Sequence, residues 1–286
     1  MHRNLLALQN VIIQGITGAH GAFHAGIMKA SGATIIAGTS PNKAGSLVHG
    51  IPVFATIADI KRQHDSIDAS IVFVPPKFAK LAMIEAIDAH IPLIICITEG
   101  VPIHDMLIVK NYALIHGSVI IGPNCPGLLI PGEGTFGIIP AAMGLPGRIA
   151  IVSRSGTLAY EVTEGLTRRK KGQRYVIGIG GDRIQGTSFI DCLSLFQEDP
   201  DVSSIILIGE IGGKSEQKAA EYIKQHVTKS VYAYIAGRVA PPGVQLGHAG
   251  AILGSSDESA LAKTTRLKQA GARTFTTITS LIESVE

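Results

Sequence analysis

The chain of 286 residues is 46% hydrophobic and 16% charged, with a formal net charge of +3. This length suits two domains, because a single hydrophobic core rarely grows beyond ~250 residues. The small net charge argues against a nucleic-acid-binding protein, and no apolar run approaches the ~20 residues of a membrane-spanning helix.

The cysteines and the N-terminal residues bear on the compartment. Cys96, Cys125 and Cys192 are far apart and odd in number, which matches neither a disulfide framework nor a metal site. The first apolar stretch is too short for a signal peptide, since Gln9 and Asn10 interrupt it. We therefore expect a protein of the reducing cytoplasm, although a mature mitochondrial protein would look the same.

The first half of the chain alternates strand-like and helix-like segments. Five apolar runs of strand length suit parallel strands buried on both faces; they are residues 10–15, 33–38, 69–74, 92–97 and 118–122. Between the third and fourth runs, residues 77–90 predict a helix. Its apolar side chains at helical spacing are Phe78, Leu81, Ile84 and Ile87.

A second series of strand-like runs follows residue 146. Its members are residues 147–156, 174–181, 203–210 and 230–237. The preceding stretch, 131–148, is rich in Gly and Pro and lacks helical periodicity. We therefore predict two open α/β domains with parallel sheets, residues 1–145 and 146–286.

The loop after the first strand carries Gly15, Gly18 and Gly21, spaced three apart, before a predicted helix. It is similar to a dinucleotide-binding turn but departs from the G-x-G-x-x-G pattern. Lys43 follows the second strand, where an NAD-dependent oxidoreductase would place an acidic residue for the ribose. A glycine loop with a lysine favours a phosphate group over the unmodified ribose of NAD, while a glycine turn without any ligand stays open.

Other strand ends offer fewer clear signals. Glu99 either accepts hydrogen bonds from a ligand or caps the next helix. Cys125 has no identifiable base, so a small buried residue is favoured over a nucleophile. His20 and His24 are four residues apart but lack a third ligand, so no metal site is predicted.

The second domain offers a phosphate-accepting constellation. Ser155 and Gly156 stand where a strand runs into a helix, and helix N-termini bind anions. Glu210 ends a later strand, and His248 lies between Gly247 and Gly250 in a long loop. A carboxylate that orients the imidazole would make His248 a phosphoryl acceptor. The alternative without a function is a tight turn in which the His248 side chain is simply exposed to solvent.

Nine motifs in order resemble the α subunits of succinyl-CoA synthetase, also called succinate–CoA ligase, and they span nearly the whole chain. They are residues 14–24, 97–107, 122–127, 151–161, 178–182, 189–191, 208–213, 234–237 and 247–252. The resemblance implies a CoA-binding Rossmann-like domain followed by a flavodoxin-like ligase domain. It also implies a role in the tricarboxylic acid cycle.

The resemblance assigns roles residue by residue. His248 would carry the phosphoryl group, Glu210 would position it, and Tyr160 would contact the organic acid. CoA would be held by Thr17, Gly18, Ala19, His20, Lys43, Ile97, Thr98 and Glu99. A separate β subunit would supply an ATP-grasp site for ATP or GTP with Mg, since nothing in this chain looks like one.

The chain departs from the family pattern at four places. His20 replaces a glutamine, which would alter contacts to CoA, and Gln245 and Leu246 replace Arg-Met before the histidine. Arg183 and Gln185 replace two prolines, and residues 253–264 differ from the family's glycine-rich loop. The last two departures leave the acid open, because these residues could lie near the substrate. A malate–CoA ligase α subunit is the nearest alternative. A CoA-binding regulatory protein without turnover is an alternative of another class.

Overall fold

The structure is a computed structural model that describes residues 6–241, 243–245 and 247–286, so the first five residues of the N-terminal stretch lie outside it. Within these ranges the chain forms two seven-stranded sheets flanked by helices. The predicted α/β fold with two parallel-rich sheets is confirmed. No helix in these ranges is long and apolar enough to cross a bilayer.

The first sheet contains strands β1 (Val11–Gln14), β2 (Ile35–Thr39), β3 (Leu47–Val48), β4 (Ile51–Phe54), β5 (Ala69–Val72), β6 (Leu93–Cys96) and β7 (Val119–Ile121). Its helices are α1 (Ala19–Ala30), α2 (Ile57–Lys61), α3 (Pro76–Asp88) and α4 (Ile103–His116). The spatial order is β3-β4-β2-β1-β5-β6-β7, and only the β3–β4 pair is antiparallel. The chain reverses direction across the sheet between β1 and β5, where open α/β sheets bind ligands.

The second sheet contains strands β8 (Gly127–Ile130), β9 (Gly134–Gly137), β10 (Pro146–Ser153), β11 (Gln173–Gly178), β12 (Ser204–Glu210), β13 (Ser230–Ala236) and β14 (Arg273–Phe275). Its helices are α5 (Gly156–Arg168), α6 (Phe189–Glu198), α7 (Ser215–His226), α8 (Ala260–Gln269) and α9 (Ile278–Ser284). The order is β14-β13-β12-β10-β11-β8-β9, with β10 to β14 parallel. The reversal lies between β10 and β12, which pair side by side.

The hairpin β8–β9 pairs with the second sheet although it precedes residue 145. Leu129 of β8 lies opposite Val176 of β11 in an antiparallel ladder. One core cluster also runs through both sheets, from Ile13 to Ile205. The two sheets therefore share packing, and the division into domains at residue 145 stays a prediction.

Helix α3 (Pro76–Asp88) overlaps the predicted range of 77–90 but presents a different face to the core. Ile87 is buried, whereas Phe78 and Leu81 are 49% and 66% exposed. The buried face consists mainly of small residues: Ala79, Ala82, Met83, Ala86 and Ile87. Alanines let the helix approach its neighbours closely, so the largest side chains were a misleading guide to the buried face.

Candidate active site

His248 and Glu210 meet at the carboxyl ends of the second sheet. Glu210 is the last residue of β12, and a bridge between Gln245 and Ile252 closes the loop that carries His248. The Nδ1 atom of His248 lies 2.6 Å from Oε2 of Glu210. Because a carboxylate only accepts hydrogen bonds, Nδ1 donates, and in the neutral imidazole Nε2 then carries the free lone pair. The structure thus brings together the two residues that the sequence pairs.

The hydrogen bond from Nδ1 to Glu210 raises the pKa of His248 above its ordinary value. Burial of the half-buried ring opposes this rise, and so does the nearby positive charge of Arg154. The charges of Glu210 and Asp182 add to the increase. Deprotonation of the imidazole, which frees Nε2 as a nucleophile, therefore requires a higher pH than for an isolated histidine.

Arg154 is a site residue that the sequence reasoning missed. Its side chain is buried, and Nε lies 3.2 Å from Oε1 of Glu210 as an ion pair. Its Nη2 donates to the carbonyl oxygens of Gly181 and Asp182 at 3.4 and 3.2 Å. The sequence did contain a signal for this residue, namely an arginine between the end of a predicted strand and a predicted anion-binding helix N-terminus. Arg154 holds the Glu210 oxygen that does not contact His248.

Close approach explains two of the glycines around this cluster. A Cβ on Gly181 would lie 2.1 Å from Cγ of His248, and one on Gly250 would lie 2.4 Å from Nη2 of Arg154. By contrast, a Cβ on Gly247 would meet nothing within 4 Å, and that residue has a φ of +73°. Gly181 and Gly250 therefore make room for the imidazole and the guanidinium.

Replacing Gly181 by Ala is expected to displace the His248 ring. A methyl group at 2.1 Å from Cγ leaves no room for the observed ring position. Phosphorylation of His248 should slow about 100-fold, since errors of ~1 Å in reacting groups cost this much. CoA affinity of the α chain, measured by calorimetry, serves as the control and should not change. An unchanged phosphorylation rate would show that the ring position is not needed.

The N-terminus of α5 begins immediately after Arg154. Ser155 is the N-cap residue, and its Oγ accepts a hydrogen bond from the amide of Leu158 at 3.3 Å. The first amides of a helix have no intrahelical acceptor, so those of Gly156 and Thr157 are available to an anion. The phosphate-binding role of Ser155 and Gly156 stays a prediction that this geometry supports.

The glycine loop of the first sheet presents an open helix N-terminus. Gly15 turns with a φ of +81°, and a Cβ on Gly21 would lie 2.3 Å from the Gly15 carbonyl oxygen. Gly18 is the N-cap of α1, and the first turn, from Ala19 to exposed His20, contains no acidic residue. Exposed amides without a competing carboxylate fit a phosphate group.

Lys43 supplies a positive charge next to this loop. It ends a short 3₁₀ turn, Pro41–Lys43, that follows β2, and it is exposed. Oγ1 of Thr17 donates to Oγ of Ser40 at 2.8 Å, which ties the two loops together. The loops of β1 and β2 thus combine amides and a cation, as a phosphorylated ligand such as CoA requires.

A cleft of about 310 Å³ joins the first sheet to the His248 loop. Glu99 lines it from the loop after β6, and Gly247 and Ala249 line it from the other side. Ile97 and Thr98 precede Glu99, and Oγ1 of Thr98 donates to the Val74 carbonyl at 2.7 Å. The cleft therefore extends from the first sheet to the two neighbours of His248 in the chain.

Tyr160 and Cys125 form their hydrogen bonds with backbone carbonyls and not with the His248–Glu210 pair, as far as the described residues show. The hydroxyl of Tyr160 donates to the Ile138 carbonyl at 3.4 Å, and burial raises the pKa of Tyr160 to about 12. Contact between Tyr160 and an organic acid stays a prediction.

Cys125 is buried, and its thiol donates to the Cys96 carbonyl at 3.3 Å. Burial also raises the pKa of the Cys125 thiol, as a structural role requires.

Arg183 and Gln185, which stand where the family has prolines, contact loops near His248. Nε of Arg183 donates to the Ala249 carbonyl at 3.1 Å, one residue beyond His248. Gln185 donates to the Gly180 carbonyl, and its own carbonyl accepts from Lys110 at 2.6 Å. Arg183 also lines the cleft beside Glu99. The Arg183 side chain therefore contacts the loop that carries His248, and the Gln185 side chain contacts the residue before Gly181.

Two family models match the chain in the predicted order. A CoA binding domain matches residues 7–100, and a CoA-ligase domain matches residues 152–273. The glycine loop, Lys43 and Glu99 fall in the first match, whereas Arg154, Glu210 and His248 fall in the second. The matches thus agree with the two groups of residues described above.

Curated relatives and solved structures agree with these models. The chain is 45% identical to succinate–CoA ligase [ADP-forming] subunit alpha 1 of Archaeoglobus fulgidus, over 96% of this chain and 94% of that protein. It is 47% identical to the corresponding alpha subunit of Aquifex aeolicus, over 92% of this chain and 86% of that protein.

Among solved structures, an ATP citrate lyase of Methanothrix soehngenii in complex with citrate and coenzyme A superposes with a TM-score of 0.87 at 25% identity, covering 98% of this chain and 50% of that one. A dinucleotide forming acetyl-coenzyme A synthetase 1 of Ca. Korarchaeum cryptofilum, 17% identical over 96% of this chain and 59% of that one, shares the fold with a TM-score of 0.77. The identities to the curated relatives place this chain in the family of succinate–CoA ligase α subunits.

Proposed function

We propose that this chain is the phosphoryl-carrying α subunit of a nucleotide-dependent acid–CoA ligase, with succinate as its acid. The observation that carries the proposal is the 2.6 Å contact between His248 Nδ1 and Glu210, which leaves Nε2 as the nucleophile. The names of its relatives favour ATP as the nucleotide. A β subunit with an ATP-grasp site would hold that nucleotide with Mg.

In the first step, Nε2 of His248 attacks the terminal phosphoryl group of the nucleotide. An N–P bond forms, the bond to the bridging oxygen breaks, and ADP leaves. Glu210 keeps Nδ1 protonated and stabilises the positive charge that develops on the ring. The amides at the start of α5 would then hold the phosphoryl oxygens.

The remaining steps move the phosphoryl group and then the acyl group. A carboxylate oxygen of the acid attacks phosphorus, the N–P bond breaks, and neutral His248 is restored. The CoA thiol then attacks the acyl phosphate carbonyl, its proton is released, and phosphate leaves. We infer that the thiol end of CoA would approach through the cleft between Glu99 and Ala249, which is lined by both neighbours of His248 in the chain.

Replacing Lys43 by Ala is expected to weaken CoA binding about tenfold, because one charge-assisted contact to a phosphate would be lost. Calorimetry of the α chain measures this change. The control is Lys61→Ala. It removes an exposed lysine that donates to the Ala89 carbonyl, near the amino ends of the strands and away from the glycine loop. Equal affinities in both variants, or tighter binding of NAD than of CoA, would contradict the assignment of this loop.

Reconstitution with the β subunit tests the enzyme as a whole. The α chain alone should not turn over ATP, CoA and acid, and activity should appear when the two subunits are mixed. A panel of dicarboxylates should give its highest kcat/KM with succinate. Preference for malate would favour the malate–CoA ligase alternative, which Arg183 beside the cleft keeps open. Full activity of the α chain alone would refute the need for a partner.

CoA binding without turnover when the two subunits are mixed would favour the alternative of a CoA-binding regulatory protein.

We also propose that the reaction takes place in the cytoplasm. Three buried free thiols, those of Cys96, Cys125 and Cys192, fit a reducing compartment.

A further inference from the structure

A buried charged pair, Glu216 and Lys263, contacts the end of β12 rather than lining the cleft. Glu216 belongs to α7 and Lys263 to α8, and both side chains are 0% exposed. The Nζ atom of Lys263 forms an ion pair with Oε2 of Glu216. A Cβ on Gly209 would lie 2.6 Å from Cγ of Glu216, so the residue before Glu210 must be small to admit this carboxylate.

The pair binds both backbone polar groups of Glu210. Oε1 of Glu216 accepts a hydrogen bond from the Glu210 amide at 3.1 Å. Nζ of Lys263 donates to the Glu210 carbonyl at 2.8 Å and to the Gly212 carbonyl at 2.6 Å. Arg154 meanwhile holds Oε1 of the Glu210 side chain. Glu210 is therefore held at three points, which leaves Oε2 to contact His248.

Stability alone is a poor explanation for this arrangement. Removing two charges from water costs about as much as their attraction returns, so apolar side chains of similar size would often stabilise a fold equally well. Burial lowers the pKa of Lys263, while the Glu216 carboxylate opposes that decrease. The distinctive feature of the pair is that its hydrogen bonds end on the residue that orients the imidazole.

We propose that Glu216 and Lys263 are positioning residues that hold Glu210 where its carboxylate can accept the hydrogen bond from Nδ1 of His248. This inference rests on the proposed function, because it assigns the pair a role in phosphoryl transfer through His248. The pair contacts neither the ring nor the cleft among the described residues, so it acts through Glu210.

The test replaces both charges with side chains of similar length, in Glu216→Met/Lys263→Met. The double variant leaves no unpaired charge inside, but the Glu210 amide and the Glu210 and Gly212 carbonyls lose these partners, so it should melt below the wild-type temperature. The pKa of His248, followed by NMR of its ring nitrogens in the full α chain, should fall towards the ordinary value of about 6.5. Phosphorylation of His248 in the αβ complex should slow about tenfold or more.

The control is Asp199→Asn, which alters a buried carboxylate of the same domain at the amino end of the strands. Asp199 accepts from the Tyr175 hydroxyl at 2.6 Å. This variant should leave the pKa of His248 unchanged. If it lowers that pKa as much as the double variant does, general destabilisation of the domain explains the effect. A wild-type pKa and rate in the double variant would overturn the proposal.

If the double variant does not fold, Glu216→Asp decides instead. It keeps both charges but withdraws the carboxylate from the Glu210 amide by one methylene. A lowered His248 pKa and a slower rate support positioning, and wild-type values of both overturn it. If wild-type His248 takes up no phosphate, the proposed function fails, whereas the pKa comparison still decides whether the pair positions Glu210.

Discussion

Replacing His248 by Asn is expected to abolish acid–CoA ligase turnover in the αβ complex. Asparagine offers no nitrogen lone pair that can accept a phosphoryl group, so no covalent intermediate can form. The fold should survive, because His248 lies in a loop and is 29% exposed, and Glu210 is the one side chain among the described residues with which its ring forms a hydrogen bond. Turnover should fall to the background of the β subunit alone.

Two controls make the loss interpretable. CoA binding by the variant should match the wild type, since Thr17 and Lys43 lie in loops of the other sheet. The thermal melt should shift only slightly. Turnover at the wild-type rate with His248→Asn would place the nucleophile elsewhere and refute the mechanism.

Replacing Glu210 by Gln is expected to slow phosphorylation about a thousandfold, within the range for groups that orient proton transfer. The amide can present its NH₂ group to Nδ1, which would favour the wrong tautomer and occupy the lone pair there. Some labelling should persist, because the nucleophile itself remains. Initial rates of phosphate incorporation from labelled nucleotide, measured from pH 5.5 to 9, provide the test.

The pH profile separates orientation from protonation. In the wild type the pKa of His248 is raised, so the rate should increase with pH through a value above about 6.5, as neutral imidazole forms. In Glu210→Gln the main cause of that rise is gone, while burial and Arg154 still lower the pKa. The profile should therefore move to lower pH. A full rate at the alkaline plateau would mean that Glu210 sets only the pKa.

The same shift links pH to stability. Since the folded pKa of His248 lies above its unfolded value, the contact with Glu210 stabilises the folded chain most below about pH 6.5. That contribution is lost as the pH rises through the folded pKa. Phosphoryl acceptance and this part of the stability therefore respond to pH in opposite directions.

The buried strands were predictable because their signal is local. Parallel strands covered on both faces are continuous apolar runs, as in β6 and β12, whose residues are all buried. The hairpin β8–β9 was missed, since Gly and Pro in residues 131–148 concealed its second strand. The core-facing side of α3 was also missed, because alanines rather than Phe78 and Leu81 face inwards.

The pairing of His248 with Glu210 was predictable because Glu210 ends β12 and His248 lies in the loop after β13, and parallel strands have their carboxyl ends on the same side of the sheet. The supporting residues were not, since their roles depend on distances across the fold. Gly181 matters because of a ring 67 positions further along the chain, and Lys263 because of carbonyls on β12 and in the loop after it. Sequence patterns of strands and helices contain no information on such contacts.

The location of the phosphate tests the central claim most directly. The reconstituted αβ complex would be labelled with ATP in the absence of CoA and acid, then digested at neutral to basic pH and analysed by mass spectrometry. We expect one phosphate, labile in acid and stable in base, on His248. Phosphate on another residue, or turnover without any phosphorylated α chain, would contradict the mechanism.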